Sequence, residues 1–432
     1  MDYRIDLQDI RFVLKEQLKM EELAQTEQWQ DFTWEDYDMI LSEAERFSKE
    51  VIYPINEDAD SIGARLVDGR VKLPESFHKA FKALATSGWG AMNADPSVGG
   101  QGLPVSLAVA VSDMLIAACP SFAFLQGLSS AAARVIYDVG SKELVDTYCE
   151  KMMTGVWGGT MCLTEPGAGS AVGDLTTTAV KVEGQDYYKI TGQKCFISAG
   201  DQDITDNIIH LVLARTPDAP AGIKGVSLLV VPATRLDGTD NDIVVTAMEE
   251  KMGIHGSPTC SLSFGDNGDC HGWILGEECS GIQHMFLMMN EARIAVGLQG
   301  SSIGNWAYQL ALDYAKERIQ GTDIASFKDA NAPRVPIIKH PDVRRMLLTM
   351  KAYSEGVRSM LLSTAHFVDR METTTDEKLH TRYHHLVEIL TPICKAYGSD
   401  KGFEAVDNAI MVHGGYGYIK EYKVEGLMRD LK

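Results

Sequence analysis

The period of the apolar residues changes twice along this chain, and that change limits the architectures open to it. From residue 1 to about 157, apolar positions recur three and four apart. Trp34-Glu-Asp-Tyr-Asp-Met-Ile-Leu-Ser-Glu-Ala-Glu-Arg-Phe47 is an example, with the spacing of one helix face. Thr33, followed by acids in the first turn, reads as the N-cap of that helix. From Gly158 to about Gly281 the pattern becomes short β-branched runs: Thr176–Val182, Tyr187–Thr191, Ile208–Ala214, Val226–Val231 and Cys260–Phe264. Turns such as Glu183-Gly184 and Asp266-Asn267-Gly268 separate them. Many short strands without intervening helices predict an antiparallel sandwich or barrel. From about Ile282 helical spacing returns over Arg293–Arg318, Asp342–Arg370 and Asp376–Ala396, with a polar break at Gly321–Pro336. The expectation is an α+β chain of three domains: N-terminal α-helical (1–157), middle antiparallel β-sandwich or barrel (158–281) and C-terminal α-helical bundle (282–432).

A formal net charge of −20 argues against nucleic acid and against docking on an anionic membrane. The most apolar stretch, Leu107–Phe124, is interrupted by Asp113 and by Cys119-Pro120, so it predicts a buried helix pair and no membrane span. MDYRIDLQDIRFVLKEQL at the start alternates acids and bases and does not read as a signal peptide. The eight cysteines are scattered without a C-x-x-C pair, the pattern of thiols in a reducing compartment, and the expected location is cytoplasmic. The histidines are read as surface or core residues, and no metal is expected.

Met161-Cys-Leu-Thr-Glu-Pro-Gly-Ala-Gly-Ser170 is the first segment with chemistry in it. Gly167 and Gly169 let a backbone turn approach a ligand, and Thr164 and Ser170 set hydroxyls beside it. Taken alone, it is either a plain glycine turn or a dinucleotide fingerprint. The fingerprint fails on spacing, since Gly173 lies one residue too far after Gly167-Ala-Gly169. A threonine-rich strand also follows where a helix N-terminus is needed.

Further blocks follow in order: Gln193-Lys-Cys-Phe-Ile-Ser-Ala-Gly200, Asn290-Glu-Ala-Arg293 heading a long helix, and Arg318 within YAKERIQG. His413-Gly-Gly-Tyr-Gly-Tyr418 and Glu425-Gly-Leu-Met-Arg-Asp430 close the series. With LTEPGAGS, these blocks resemble those of the acyl-CoA dehydrogenases, in the family's order. LQDIRFVLKE and the long insertion between Arg318 and His340 are similar to a longer bacterial branch that includes the 3-methylmercaptopropionyl-CoA dehydrogenases. The resemblance implies FAD as cofactor, α,β-dehydrogenation of an acyl-CoA to the 2-enoyl-CoA, and an electron-transfer flavoprotein as electron acceptor. It implies cofactor contacts at Met161, Leu163, Thr164, Gly169, Ser170, Phe196, Ile197, Ser198, Arg318, Gly414 and Gly415. Among these, Thr164 and Ser198 would bond the flavin edge and Phe196 would cover a ring face. Arg318 would reach the pyrophosphate across a subunit boundary, which implies a homodimer or homotetramer. CoA contacts are implied for Ser170, Asn290 and Arg293, a flavin-side place for His340, and a strand-like approach to the active site at 425–430.

Removing a proton beside a thioester requires a carboxylate of raised pKa, donors to the thioester oxygen and a hydride acceptor. In the family a glutamate following M-R-D takes that proton. Here Asp430-Leu-Lys432 closes the sequence, so the base is expected just beyond Lys432 in a longer form of the chain. Glu291 is a substitute one residue away from the place some relatives use, and so turned by about 100° on the helix. Ala171 stands where the family usually has aspartate, and Met411 where glutamine is common. Two other functions stay open on the same scaffold: an acyl-CoA oxidase that passes electrons to oxygen, and a catalytically silent acyl-CoA-binding or assembly module.

Overall fold

The computed structural model describes residues 3–432. Its principal helices are α1 (Trp34–Phe47), α2 (Glu75–Thr86), α3 (Val105–Ala118), α4 (Pro120–Val139), α5 (Gly281–Glu317), α6 (Pro341–Thr373), α7 (Glu377–His413) and α8 (Val424–Leu431). The strands are β1 (Arg65–Val67), β2 (Arg70–Lys72), β3 (Trp157–Cys162), β4 (Thr178–Lys181), β5 (Tyr188–Ser198), β6 (Asn207–Ala214), β7 (Ser227–Pro232), β8 (Ile243–Met248), β9 (Thr259–Phe264), β10 (His271–Ile274), β11 (Ile319–Thr322) and β12 (Arg334–Pro336).

Several boundaries have local causes. At α1 the Thr33 hydroxyl accepts from Asp36 N while the Asp36 carboxylate accepts from Thr33 N, a reciprocal capping box worth about 1 kcal/mol. Between α3 and α4, Cys119 is extended (φ −160, ψ 93), because a residue before proline is kept out of the helical region, and Pro120 starts the next helix. The apolar stretch thus becomes two helices, as its sequence predicts. No helix among the described residues is long and apolar enough to cross a membrane.

The chain forms two compact units. One comprises Met1–Pro54, Pro104–Pro120 and Arg293–Lys432, the other Ile55–Leu103 and Ser121–Ala292. The first unit is helical. Val105 N and Ser106 N at the head of α3 donate to the Asp369 carboxylate on α6, at 2.6 and 3.1 Å. This satisfies two of the amide groups a helix start leaves unpaired. Arg358 of α6, with no exposed side-chain surface, donates to Asp113 at 2.6 Å and Asp9 at 2.8 Å. Glycines bring α5 and α7 close: a Cβ on Gly300 would sit inside the carbonyl of Gly398, and one on Gly297 would lie 2.6 Å from the Cys394 oxygen.

The second unit holds the sheet, in the order β3-β6-β7-β10-β5-β9-β8, with β4 on β5. Ile209, Leu211 and Leu213 of β6 and Leu228 and Val230 of β7 pack in one core with Ala132 and Ile136 of α4 and Met285 and Met288 of α5. Each of these leucine, isoleucine, valine and methionine side chains contributes about 1.5–3 kcal/mol when removed from water. On the opposite face of β6, His210 Nδ1 lies 2.7 Å from Thr160 Oγ1, and burial pushes the imidazole down to about 4.

The helix–strand–helix order holds, with local corrections. β3 pairs with β6 in parallel, from Trp157↔Asn207 to Cys162↔Val212, so the sheet is not wholly antiparallel. The connection between them is long enough to carry the chain back to the same end. Residues 65–72 form the β1–β2 hairpin inside the stretch read as helical, and the polar break after Arg318 contains the β11–β12 hairpin. α7 runs past Ala396 to His413, and residues 424–431 are helix α8, not a strand-like approach. Val424 and Leu427 are buried three apart and Glu425 pairs with Arg429 four apart, which is helical spacing. All eight cysteines are free thiols.

Candidate active site

The loop Leu163–Thr177 leaves the end of β3 and folds back on itself. Glu165 and Ala168 exchange backbone hydrogen bonds of 3.0 Å each way. At its far end Thr176 N, Thr176 Oγ1 and Thr177 N donate to the Glu165 carboxylate at 2.7, 2.8 and 3.1 Å. Arg215 tethers the same loop from outside, donating to the carbonyls of Gly173 and Leu175.

Against this loop lies the end of β5. Tyr188, Ile190 and Lys194 occupy the inner face in ordinary alternation, and then the phase shifts: Cys195 and Ile197 are buried, Phe196 and Ser198 exposed. The register with β9 breaks between Lys194 and Ile197, the signature of a bulge. Phe196 has φ +59 and is 63% exposed. An aromatic residue in the left-handed region is a backbone outlier, and here it is largely exposed to solvent. Cys195 N donates to Thr164 O at 3.0 Å, which joins bulge and loop.

Beneath both sits a buried ion pair. Lys194 Nζ donates to Glu165 Oε1 at 2.8 Å and to Leu163 O at 3.2 Å. Burial pushes the Glu165 carboxyl up, but hydrogen bonds from Lys194, Thr177 and Thr176 outweigh it and bring the group down to about 2. Burial also pushes the Lys194 amine down, with Glu165 opposing.

The second unit therefore brings together Thr164, Gly169, Ser170, Phe196 and Ser198 on one loop and one bulge. Met161 and Leu163 pack partly against the core and Ile197 is buried, so what they offer outward is backbone. Asn290 also belongs to this unit. Arg293, Arg318, Gly414 and Gly415 belong to the other, where the Arg318 guanidinium lies 5.7 Å from the ring of Tyr416, within the turn Gly414–Tyr418. His340 Nε2 lies 2.7 Å from Gln320 O in that unit.

Glu291 is engaged elsewhere, paired with Arg134 of α4 at 3.0 Å. Desolvation pushes its carboxyl up to about 7 and Arg134 pulls the other way; with 42% of the side chain exposed, water moderates that balance. Among the described residues, one cluster has metal-ligand geometry: His384, His385 and Glu388, all exposed on α7.

Glu165, Lys194 and Arg215 carry no assignment from sequence. Lys194 had a visible signal, a lysine in phase with the inward residues Tyr188 and Ile190. Arg215 had none, because its four carbonyl partners are assembled only by the fold.

Comparison with known proteins gives three family matches: the acyl-CoA dehydrogenase N-terminal domain at 34–156, the middle domain at 160–267 and the C-terminal domain at 280–432. A butyryl-CoA dehydrogenase of Syntrophomonas wolfei is 40% identical over 445 aligned residues, covering 100% of this chain and 72% of that protein. The 3-methylmercaptopropionyl-CoA dehydrogenase of Ruegeria pomeroyi is 37% identical, covering 100% and 73%. An acyl-CoA dehydrogenase of Bacillus anthracis, solved in complex with FAD, shares the fold with a TM-score of 0.76 at 22% identity, covering 95% of this chain and 64% of that one.

Proposed function

The chain belongs to the acyl-CoA dehydrogenase family, and from that premise we propose an FAD-dependent oxidation of an acyl-CoA to the 2-enoyl-CoA, with electrons passed to an electron-transfer flavoprotein. The observation that carries this is backbone left bare for a ligand in each of the two units. Gly167, Gly169 and Gly415 lack a left-handed backbone, and a Cβ at any of them would meet no atom within 4 Å. Neither conformation nor packing within the chain accounts for glycine there, whereas close approach of a ligand to the backbone does. Phe196, strained and largely exposed, fits a flat aromatic partner in the same way.

These residues fit FAD. Thr164 and Ser198 would hold the flavin edge, Phe196 a ring face, and the backbone of Met161, Leu163, Gly169 and Ile197 the approach to it. Ser170 would serve the phosphates and the CoA portion, with Asn290 and Arg293 on the CoA. Arg318, Gly414 and Gly415 would take the pyrophosphate of a second subunit's cofactor, which makes the working form a homo-oligomer. FAD, when bound, supplies a two-electron acceptor for the β-hydride. The protein's own part is to align the thioester, exclude water and lead the α-proton to a carboxylate. Glu291, tied to Arg134, has a structural part in this scheme and not that one.

The experiment is reconstitution of the full-length protein, with any residues that follow Lys432, with FAD, followed by anaerobic titration with butyryl-CoA, the substrate named for the Syntrophomonas relative. Stoichiometric flavin uptake and bleaching of the visible bands are expected, with electrons then moving to an electron-transfer flavoprotein and no hydrogen peroxide in air. A colourless protein sinks the proposal, and rapid peroxide formation turns it into an oxidase.

A further inference from the structure

Glu165 and Lys194 have no cofactor or substrate contact assigned to them above, yet they form an ion pair almost without exposed surface, 4% for Glu165 and none for Lys194. Such a pair is a poor source of stability, because desolvating both charges offsets their attraction and an apolar pair of the same volume holds a fold as well. What it does contribute is direction, since charges in a dry interior tolerate few arrangements. Here the arrangement joins three pieces of chain. The Glu165 carboxylate closes the loop at Thr176 and Thr177, Lys194 reaches the carbonyl of Leu163, and two residues beyond Lys194 comes the strained backbone of Phe196. A bulge with an aromatic residue at φ +59 persists only when its surroundings hold it.

We propose that Glu165 and Lys194 are the positioning pair of this site. Their buried contact fixes the loop 165–177 against the bulge at 195–198, so that the hydroxyls of Thr164 and Ser170 and the ring of Phe196 meet one ligand together. The proposal rests on the FAD site described above and adds the residues that shape it. Both act through loop and bulge rather than on the cofactor.

The test uses the full chain and three variants: K194M, E165Q and, as a control for general destabilisation, D369N in the other unit. FAD affinity is read from quenching of flavin fluorescence on titration into apoprotein, the bound state from its visible spectrum, and the loop from amide hydrogen exchange of residues 164–177 in apoprotein. Expected for K194M and E165Q is a rise in FAD Kd on the order of ten- to a hundredfold, shifted visible bands and faster exchange in the loop. D369N should keep the parent Kd and spectrum even with a comparable drop in Tm. K194M and E165Q binding FAD within about twofold, with parent spectrum and exchange, overturn the idea. If K194M does not fold, E165Q decides by the same readouts. If the parent chain takes up no FAD, the proposed function fails, and the exchange data still judge the clamp by themselves.

Discussion

Glycine serves opposite ends at the crossing of α5 and α7 and in the loop after β3. In the helical unit, Gly297, Gly300, Gly398 and Gly402 stand where a Cβ would strike the backbone of the facing helix, so their small size is needed by the protein itself. In the sheet-bearing unit, Gly167 and Gly169 face open space and their smallness does nothing for the fold. Buried ion pairs divide likewise. Arg358, with Asp113 and Asp9, ties helices of one unit together, while Lys194 stands two residues before the strained and exposed Phe196. The lesson is that a residue type marks a functional surface only once packing has been shown not to require it.

The contrast can be broken by measurement. R358M strands the buried Asp113 carboxylate and the partly buried Asp9 carboxylate and should lower unfolding free energy by about 3–5 kcal/mol, measured by urea denaturation. A loss below about 1 kcal/mol would mean the network is not buried as described. G300A should lose about 1–3 kcal/mol, because the added methyl meets the Gly398 carbonyl, a rigid atom. Acid unfolding sharpens the comparison of the ion pairs. The Glu165 carboxyl is depressed in the fold, so its contribution is present above its ordinary pKa near 4.5 and is lost as pH falls towards about 2. The parent should therefore lose on the order of 2 kcal/mol more than E165Q across that window. Equal slopes would remove the pair from the stability of the loop. G169A should shift stability by less than about 0.5 kcal/mol yet weaken FAD binding. Unchanged FAD affinity with unchanged Tm would leave that glycine without a reason.

Much of the candidate site is legible in the sequence alone. Thr164, Ser170, Phe196 and Ser198 stand on short segments whose turn chemistry and strand phase are local, and the structure sets them on one loop and one bulge of one unit. The bulge itself was not legible, since nothing in Gln193–Gly200 announces a left-handed phenylalanine. It depends on how β5 must meet both Thr164 and β9. The apolar spacing places the end of this helix at Ala396, whereas α7 continues to His413 through Gly398 and Gly402, poor helix formers by intrinsic propensity. Against Gly297 and Gly300 of α5 they are instead what the close crossing requires. Arg134 as the partner of Glu291 could not be read either, for the two are far apart in sequence and meet only through packing of α4 and α5.

The sequence by itself determined what acts within a turn or two: the helix–strand–helix order, the capping box at Thr33, the break at Cys119-Pro120 and the loop and strand segments that carry the candidate site. Tertiary structure alone decided the parallel edge between β3 and β6, the close crossing of α5 and α7, the partner of Glu291 and the clamp of Glu165 on Lys194. Propensity and hydrogen bonding to near neighbours are local energies written in adjacent residues. Exclusion of water around a charge, and the space left between two backbones, exist only after distant segments have packed.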